Sequence, residues 1–145
     1  MTLPTKFEII QHGGDSYLAA VRLRDEILVN PASVVTTPED VAAERELVHV
    51  AGFLDGELVA TCLLVPEGRA LRMKRVAIAS DVQDRGIGAQ MLHFCEDHAR
   101  ESGASELCAH ARETAVRFYL KVGFATEGDY FDEDGIPHIV VRKAL

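Results

Sequence analysis

The sequence predicts an α/β protein of the α+β type, with a mixed, mostly antiparallel sheet built around a central parallel strand-helix-strand unit. Three observations carry this. Asp55-Gly56 stands between two apolar, β-branched runs, the mark of a tight hairpin whose turn needs positive φ. Leu71 to Ile78 reads as a strand and runs into Gln83-Asp84-Arg85-Gly86-Ile87-Gly88. Met91, Leu92, Cys95 and Ala99 then recur at helical spacing before a further strand, Glu106 to Arg112. Last, Asp132-Glu133-Asp134-Gly135 separates two terminal strands, Phe124 to Phe131 and His138 to Lys143.

In chain order, Phe7 to His12 is a first strand ended by Gly13-Gly14. Asp15 or Ser16 caps a helix from Tyr17 to Val29, with Leu18, Val21 and Leu28 on its inner side and Asn30-Pro31 as its stop. A loop over residues 31–38 leads to a short acidic helix after Thr37-Pro38, a cap-then-proline start. The hairpin strands are His49 to Leu54 and Leu58 to Val65, and Pro66-Glu67-Gly68 turns the chain into the strand at Leu71. The central helix runs from Ala89 to Arg100, with Gly103 as its C-cap. Thr114 caps a second short helix, Ala115 to Val122, which ends at Gly123. The strands flanking the central helix are parallel and joined by a right-handed crossover. Such a unit inside an antiparallel sheet breaks strand direction locally, and ligands favour such breaks at the carboxyl ends of strands.

A chain of 145 residues without repeat, linker or low-complexity segment reads as one domain, 1–145, able to bury a core without disulfide or metal. Hydrophobic content of 48% with 26% charged residues suits a soluble protein, and neither a membrane-span-length apolar run nor a signal-peptide core is present, so the expected location is cytoplasmic. The formal charge of −8 argues against a nucleic-acid binder and mildly favours a cationic partner. Against that background Arg69, Arg72, Lys74, Arg75 and Arg85 form a basic cluster beside the glycine loop, which points to an anionic ligand. Cys62, Cys95 and Cys108 lack metal-type spacing and lie in apolar runs, as buried reduced thiols do; His93 and His98 share no helix face, so no metal site is expected.

The glycine loop carries the chemistry. A helix start leaves backbone N–H groups unpaired, aligned and partly positive, and glycine lets a phosphate approach them. The segment from Gln83 to Ala89 therefore reads as a pyrophosphate cradle. No Gly-Lys-Ser/Thr ending follows, as an ATP-type loop requires, and Met91 stands where a dinucleotide fold has its third glycine.

Taken together, Val76-Ala77-Ile78 and Gln83 to Gly88 resemble the Arg/Gln-x-x-Gly-x-Gly/Ala signature of the GNAT superfamily of acyl-CoA-dependent N-acetyltransferases. Ala115, Phe118, Tyr119, Gly123 and Phe124 are similar to that family's second block, and the likeness covers most of residues 48–145. The resemblance implies the GNAT fold and acetyl-CoA as co-substrate, with no metal. It also implies acetyl transfer to a primary amine of a small molecule or peptide, by direct attack in a ternary complex. By the same resemblance Val76, Ala77 and Ile78 pair with the pantetheine arm, the amides of Arg85, Gly86, Ile87, Gly88 and Ala89 hold the pyrophosphate, with Gln83 and Asp84 in the same loop and Phe118 in the second block, and Arg85 adds a charge. A backbone N–H on the Val76–Ile78 strand polarises the thioester carbonyl. Tyr119 stands at the family's proton donor to the leaving thiolate.

Many relatives carry a glutamate base on the strand before the loop. Here Arg72, Met73, Lys74 and Arg75 occupy that strand, so the base candidates are His110, Glu133 and His138. Arg112 stands near where many relatives have a cofactor-contacting asparagine and suits a phosphate or an anionic acceptor instead. Gly135-Ile136-Pro137-His138 is similar to a motif of a bacterial subgroup of small GNAT proteins, which also has a histidine near the position of His110. A homodimer is the common expectation for soluble oligomers. Two other classes compete: a non-catalytic acyl-CoA-binding sensor or regulatory subunit, and a different kind of nucleotide-phosphate binder.

Overall fold

The computed structural model describes residues 3–28 and 36–145. Seven strands form one sheet in the order β1-β2-β3-β4-β5-β7-β6: β1 Lys6–Ile10, β2 Val48–Leu54, β3 Glu57–Glu67, β4 Ala70–Ile78, β5 Glu106–Arg112, β6 Ala125–Glu133 and β7 Ile136–Ala144. Neighbours are antiparallel except β4 and β5, which run parallel. The helices are α1 Asp15–Ile27, α2 Pro38–Ala43, α3 Ile87–Glu101 and α4 Val116–Lys121. The expected fold class is the observed one.

Side chains alternate across a strand, so successive residues of β2 mark the two faces. Val50 belongs to the main core with Met91, Leu92 and Cys95 of α3 and Tyr119 of α4. Ala51 belongs to a second cluster with Tyr17 and Ala20 of α1. Helix α1 thus covers one face, and α3 with α4 the other. Among the described residues no helix is long and apolar enough to cross a membrane.

Several boundaries differ from expectation for identifiable reasons. The first strand ends at Ile10 rather than His12, where its pairing with β2 ends opposite His49, and the His12 ring beyond it donates from Nε2 to the Val41 carbonyl at 2.7 Å. Neither Asp15 nor Ser16 caps α1. Gly14 holds the cap position without a side-chain bond, and Asp15 lies inside the first turn, where its charge suits the helix dipole. The inner face of α1 is only partly the one hydrophobicity picked: Val21 packs against the cluster of Tyr17 and Ala20 as expected, but Leu18 does not. Leu18 is 50% exposed, whereas Tyr17, Ala20, Leu23 and Arg24 are buried. Arg24 and Tyr17 face inward because both bind the buried carboxylate of Glu44: Arg24 Nη2 donates to Oε1 and Oε2 at 2.8 and 2.7 Å, and Tyr17 Oη donates to Oε1 at 2.8 Å. Val29 and Asn30-Pro31, the expected end of this helix, lie outside the described residues, as does the loop over 31–35.

Thr37 does cap α2, in a reciprocal capping box with Asp40. Thr114 caps nothing: it sits in a 3-10 turn, Glu113–Ala115, and α4 starts from Ala115 without a side-chain cap. The closing hairpin is tighter than expected. Asp134 and Gly135 alone turn the chain, at φ 55° and 79°. Glu133 therefore belongs to β6, directly opposite Ile136, and Asp132 faces Pro137. That places the Glu133 carboxylate on a strand rather than a loop.

Candidate functional site

Strands β4 and β5 begin side by side and then part. Their pairing runs from Ala70 opposite Glu106 to Met73 opposite Ala109 and stops there. Beyond it β4 stays with β3 as far as Ile78, and β5 stays with β7 as far as Arg112 opposite His138. A bulge helps turn β4 away. Lys74 faces Leu63 and Ala77 faces Thr61, so Arg75 and Val76 together oppose the single residue Cys62. Arg75 is held at φ 54°, an uncommon conformation for a side chain without glycine's freedom. The sheet opens between the two strands, and a cavity lies on each side of the opening.

The first cavity, about 770 Å³, follows the glycine loop. Its walls include Val76, Ile78, Gln83, Asp84, Gly86, Ile87, Gly88, Ala89, Arg112, Phe118 and Tyr119. Most of the residues expected at the cofactor are therefore together. Two stand apart: Ala77 points into the core at 2% exposure, and Arg85 is not part of the wall. For Ala77 this follows from strand alternation, since its neighbours Val76 and Ile78 face the cavity; its backbone remains part of the strand.

The loop itself is shaped by Asp84 at φ 62° and Gly86 at φ 81°, the latter the N-cap of α3. Gly86 offers no side chain to satisfy the first amides of α3, which are left available at the helix start. Space at Gly88 is tight: a Cβ there would stand 3.2 Å from the Phe118 ring, which would have to give by a few tenths of an ångström. The loop is also braced from outside, a feature sequence reading missed. Leu3 N–H donates to the Arg85 carbonyl at 3.1 Å. Gln90 Nε2 donates to Leu3 O at 2.6 Å, while its Oε1 accepts from Thr5 N–H at 3.1 Å. Gln83 Nε2 closes the loop's front by donating to Ile78 O at 3.0 Å.

The second cavity, about 480 Å³, lies on the α1 side and holds all three base candidates, His110, Glu133 and His138. The two cavities share Ile27, Met73, Val76, Arg112, Ala115 and Tyr119. Tyr119 thus stands where they meet. It is 5% exposed, and its hydroxyl has no hydrogen bond among the described residues. Burial pushes its pKa well up, with the nearby thiols of Cys62 and Cys95 adding to the effect, so the hydroxyl keeps its proton. Those two thiols touch at 3.7 Å, buried and reduced as the sequence suggested.

The base candidates form one chain of contacts whose protons follow from what each atom can do. The Ile136 carbonyl can only accept, so His138 donates to it from Nδ1 at 2.8 Å. In the neutral ring, Nε2 of His138 is then a free lone pair, 3.5 Å from Glu133 Oε2. His110 donates from Nδ1 to Glu133 Oε1 at 2.8 Å. Arg72 Nη1 lies 3.2 Å from Nδ1 and 2.9 Å from Nε2 of His110, nearly equidistant from the two, so the guanidinium sits over the imidazole face rather than in line with either nitrogen's lone pair. Phe131 fills the space between the two imidazoles, edge-on to His110 and stacked on His138. Burial alone would raise the Glu133 carboxyl, but the hydrogen bond and charge of His110, with the charges of His138 and Arg72, outweigh it and hold the pKa below the ordinary value.

Arg72 as the partner of His110 was not foreseen. The parallel register sets Arg72 opposite Cys108, two residues before His110 on the same face, and that register is invisible in a linear sequence. Ile27, in the wall of both cavities, was missed for the same kind of reason, since it depends on how α1 crosses the sheet.

A sheet split at its parallel pair, with a glycine-started helix on one side, is the frame of the acyl-CoA N-acyltransferases. Superposition agrees. A Lactobacillus plantarum structure with a provisional N-acetyltransferase description matches with TM-score 0.85 and 26% identity, over 97% of this chain and 98% of that one. An acyl-CoA N-acyltransferase from Pseudomonas aeruginosa matches with TM-score 0.78 and 22% identity, over 97% and 100% of the two chains. A GNAT family acetyltransferase from Elizabethkingia anophelis, solved with acetyl-CoA bound, shares the fold at TM-score 0.73 and 16% identity, over 97% and 98%. The Bacillus subtilis protein YitI, an uncharacterized N-acetyltransferase, is 30% identical over 105 residues, 67% of this chain and 70% of its own. The model of the acetyltransferase (GNAT) domain matches residues 31–145, and the chain belongs to that family.

Proposed function

We propose that this protein, as one GNAT domain over residues 1–145, transfers an acetyl group from acetyl-CoA to a primary amine by direct attack within a ternary complex. The observation that carries this reading is the meeting of two cavities at Tyr119, one along a glycine-started helix and one lined by bases. The amides at the start of α3 hold the pyrophosphate, and the freed edge of β4 from Val76 to Ile78 pairs with the pantetheine amides as an added strand would. Relatives solved with coenzyme A or acetyl-CoA support that ligand.

In the reaction the amine first loses a proton to Nε2 of His138. An alkylamine has a pKa of about 10.4, so most of it is protonated at neutral pH and a base is needed. Glu133 steadies the imidazolium that results. The amine nitrogen attacks the thioester carbon, a backbone N–H of the β4 bulge receives the oxyanion, and collapse breaks the C–S bond. Tyr119 gives its proton to the departing thiolate, and the second proton that the attacking nitrogen must shed to become an amide returns to Tyr119 through water. His110, clamped between Arg72 and Glu133, orients Glu133 rather than acting as the base.

The test is thiol release from acetyl-CoA against amines, amino sugars, polyamines and peptides, with both substrates varied. Intersecting initial-rate lines support direct attack, and parallel lines would replace it with an acetylated enzyme. Binding of acetyl-CoA without turnover across the whole panel would leave a sensor.

A further inference from the structure

The charges around the acceptor cavity do not match the charge of the protein. The chain carries a formal net −8, yet this cavity is walled by Arg72, Lys74, Arg75 and Arg112 against only Glu133 and Asp134. The six separate in the fold: the cations come from β4 and the end of β5, the carboxylates from the β6–β7 hairpin. Arg72 is engaged by His110 and lies 3.2 Å from Glu67. Lys74, Arg75 and Arg112 have no ion pair among the described residues, and residues 29–35, Val-Asn-Pro-Ala-Ser-Val-Val, hold no carboxylate to supply one. The Asp40 carboxyl is held below its ordinary pKa first by the Thr37 backbone N–H and only in smaller part by the charge of Arg75, and the capping contacts of that carboxylate and its backbone go to Thr37.

Two of these cations, Lys74 and Arg75, are not explained by the cofactor, whereas Arg112 lines both cavities. Lys74 and Arg75 line the acceptor cavity and not the cavity of the glycine loop, although in sequence their cluster runs towards that loop. The bulge presents them there. It inserts the extra residue at Arg75 and Val76 and keeps Arg75 at positive φ, a conformation that costs stability and recurs at functional sites.

Resting on the acetyltransferase reading, we infer that the acceptor is an amine that also carries an anionic group, a carboxylate or a phosphate. The anion pairs with Lys74 and Arg75 on β4. The ammonium end lies towards Glu133 and His138, whose negative and basic atoms suit it. The split of charge across the cavity fixes the acceptor's direction, amine towards Tyr119 and anion towards β4. A polyamine would set a second cation against this wall.

Matched acceptors test it: amino acids and ω-amino carboxylates, their amides, the corresponding aminoalkyl phosphonates, simple alkylamines and diamines, each read as kcat/KM for thiol release. The carboxylate or phosphonate members should exceed their uncharged partners by about tenfold or more, the scale of one charge-assisted hydrogen bond. Which of the two anions leads identifies the group. The preference should collapse in Lys74→Gln/Arg75→Gln, with the Kd for acetyl-CoA unchanged. Equal or better use of amides, alkylamines or diamines overturns the inference while leaving the acetyltransferase reading intact, and so does a preference that survives the double substitution. No release from any member, with acetyl-CoA bound, overturns both.

Discussion

Arg72 Nη1 lies over the His110 ring, 2.9 Å from Nε2 and 3.2 Å from Nδ1, and this contact separates the roles of two histidines that look alike in sequence. His110 is clamped: Glu133 accepts the hydrogen bond from its Nδ1, and a guanidinium that never gives up its charge covers the ring at Nε2. The corresponding nitrogen of His138 faces the cavity beside Glu133. With an acceptor in hand, His138→Gln should lose kcat/KM with acetyl-CoA affinity intact, and the acidic limb of the pH–rate profile should vanish or move. His110→Gln should lower the rate less and keep the limb. A limb that persists in His138→Gln and moves in His110→Gln would reverse the assignment.

Tyr119→Phe keeps the ring that packs between α3 and Phe124 and removes only the hydroxyl. Turnover should fall by roughly 10²–10⁴-fold, the range for a positioned acid. Acetyl-CoA binding should hardly change. Because burial already holds the hydroxyl protonated, no alkaline loss of activity near pH 10 should trace to this tyrosine. Turnover within about twofold of wild type would make it a packing residue only.

Gly86→Asp places a carboxylate at the start of α3. Asp tolerates left-handed backbone better than most residues, so the fold should survive with a lowered melting temperature. The rise in melting temperature on adding acetyl-CoA, which reports ligand bound to the folded state, should disappear. A full rise in the variant would take the pyrophosphate away from this loop.

How much of this was legible in the sequence depends on range. The Asp55-Gly56 turn, the Thr37 cap and the glycine loop announce themselves because each is a local requirement met by neighbouring residues. Leu18 misled because a hydrophobic count cannot know that Arg24 and Tyr17 will be drawn inward by Glu44, 20 and 27 residues away. The base candidates were found by residue type, but their order was not. What clamps His110 is Arg72, 38 residues before it and brought alongside it by strand register. The cations on β4 were visible as a cluster and misplaced for a related reason, since only the bulge decides which cavity they enter.

Tyr17 gives a pH signature unrelated to catalysis. Burial first, then its bond to the Glu44 carboxylate, raises its pKa to about 12. A folded-state pKa above the unfolded value of about 10 means a contribution fully present below pH 10 and lost as pH rises through the folded value. The stability difference between wild type and Tyr17→Phe, measured by urea unfolding, should therefore be constant up to about pH 9.5 and shrink above it. A difference that does not change up to pH 11.5 would show that the hydroxyl is not held by Glu44.

The pair of Arg24 and Glu44 should dominate the stability of the α1 side. Both are nearly dry, at 3% and 7% exposure, and the carboxylate accepts three hydrogen bonds from Arg24 and Tyr17. Taking two charges out of water costs heavily, so the intact pair stabilises little over an apolar replacement. Breaking it strands a buried charge and should cost about 3–5 kcal/mol. Glu44→Ala is therefore expected to be among the most damaging single changes on this face, and Arg24→Met/Glu44→Leu to recover much of the loss. Full recovery is not expected, because Tyr17 would keep a buried hydroxyl without its acceptor. Urea unfolding of the two variants checks this directly. A double substitution that costs at least as much as Glu44→Ala would mean that the pair contributes net stability, rather than specifying how α1 and the turn at Glu44 fit together.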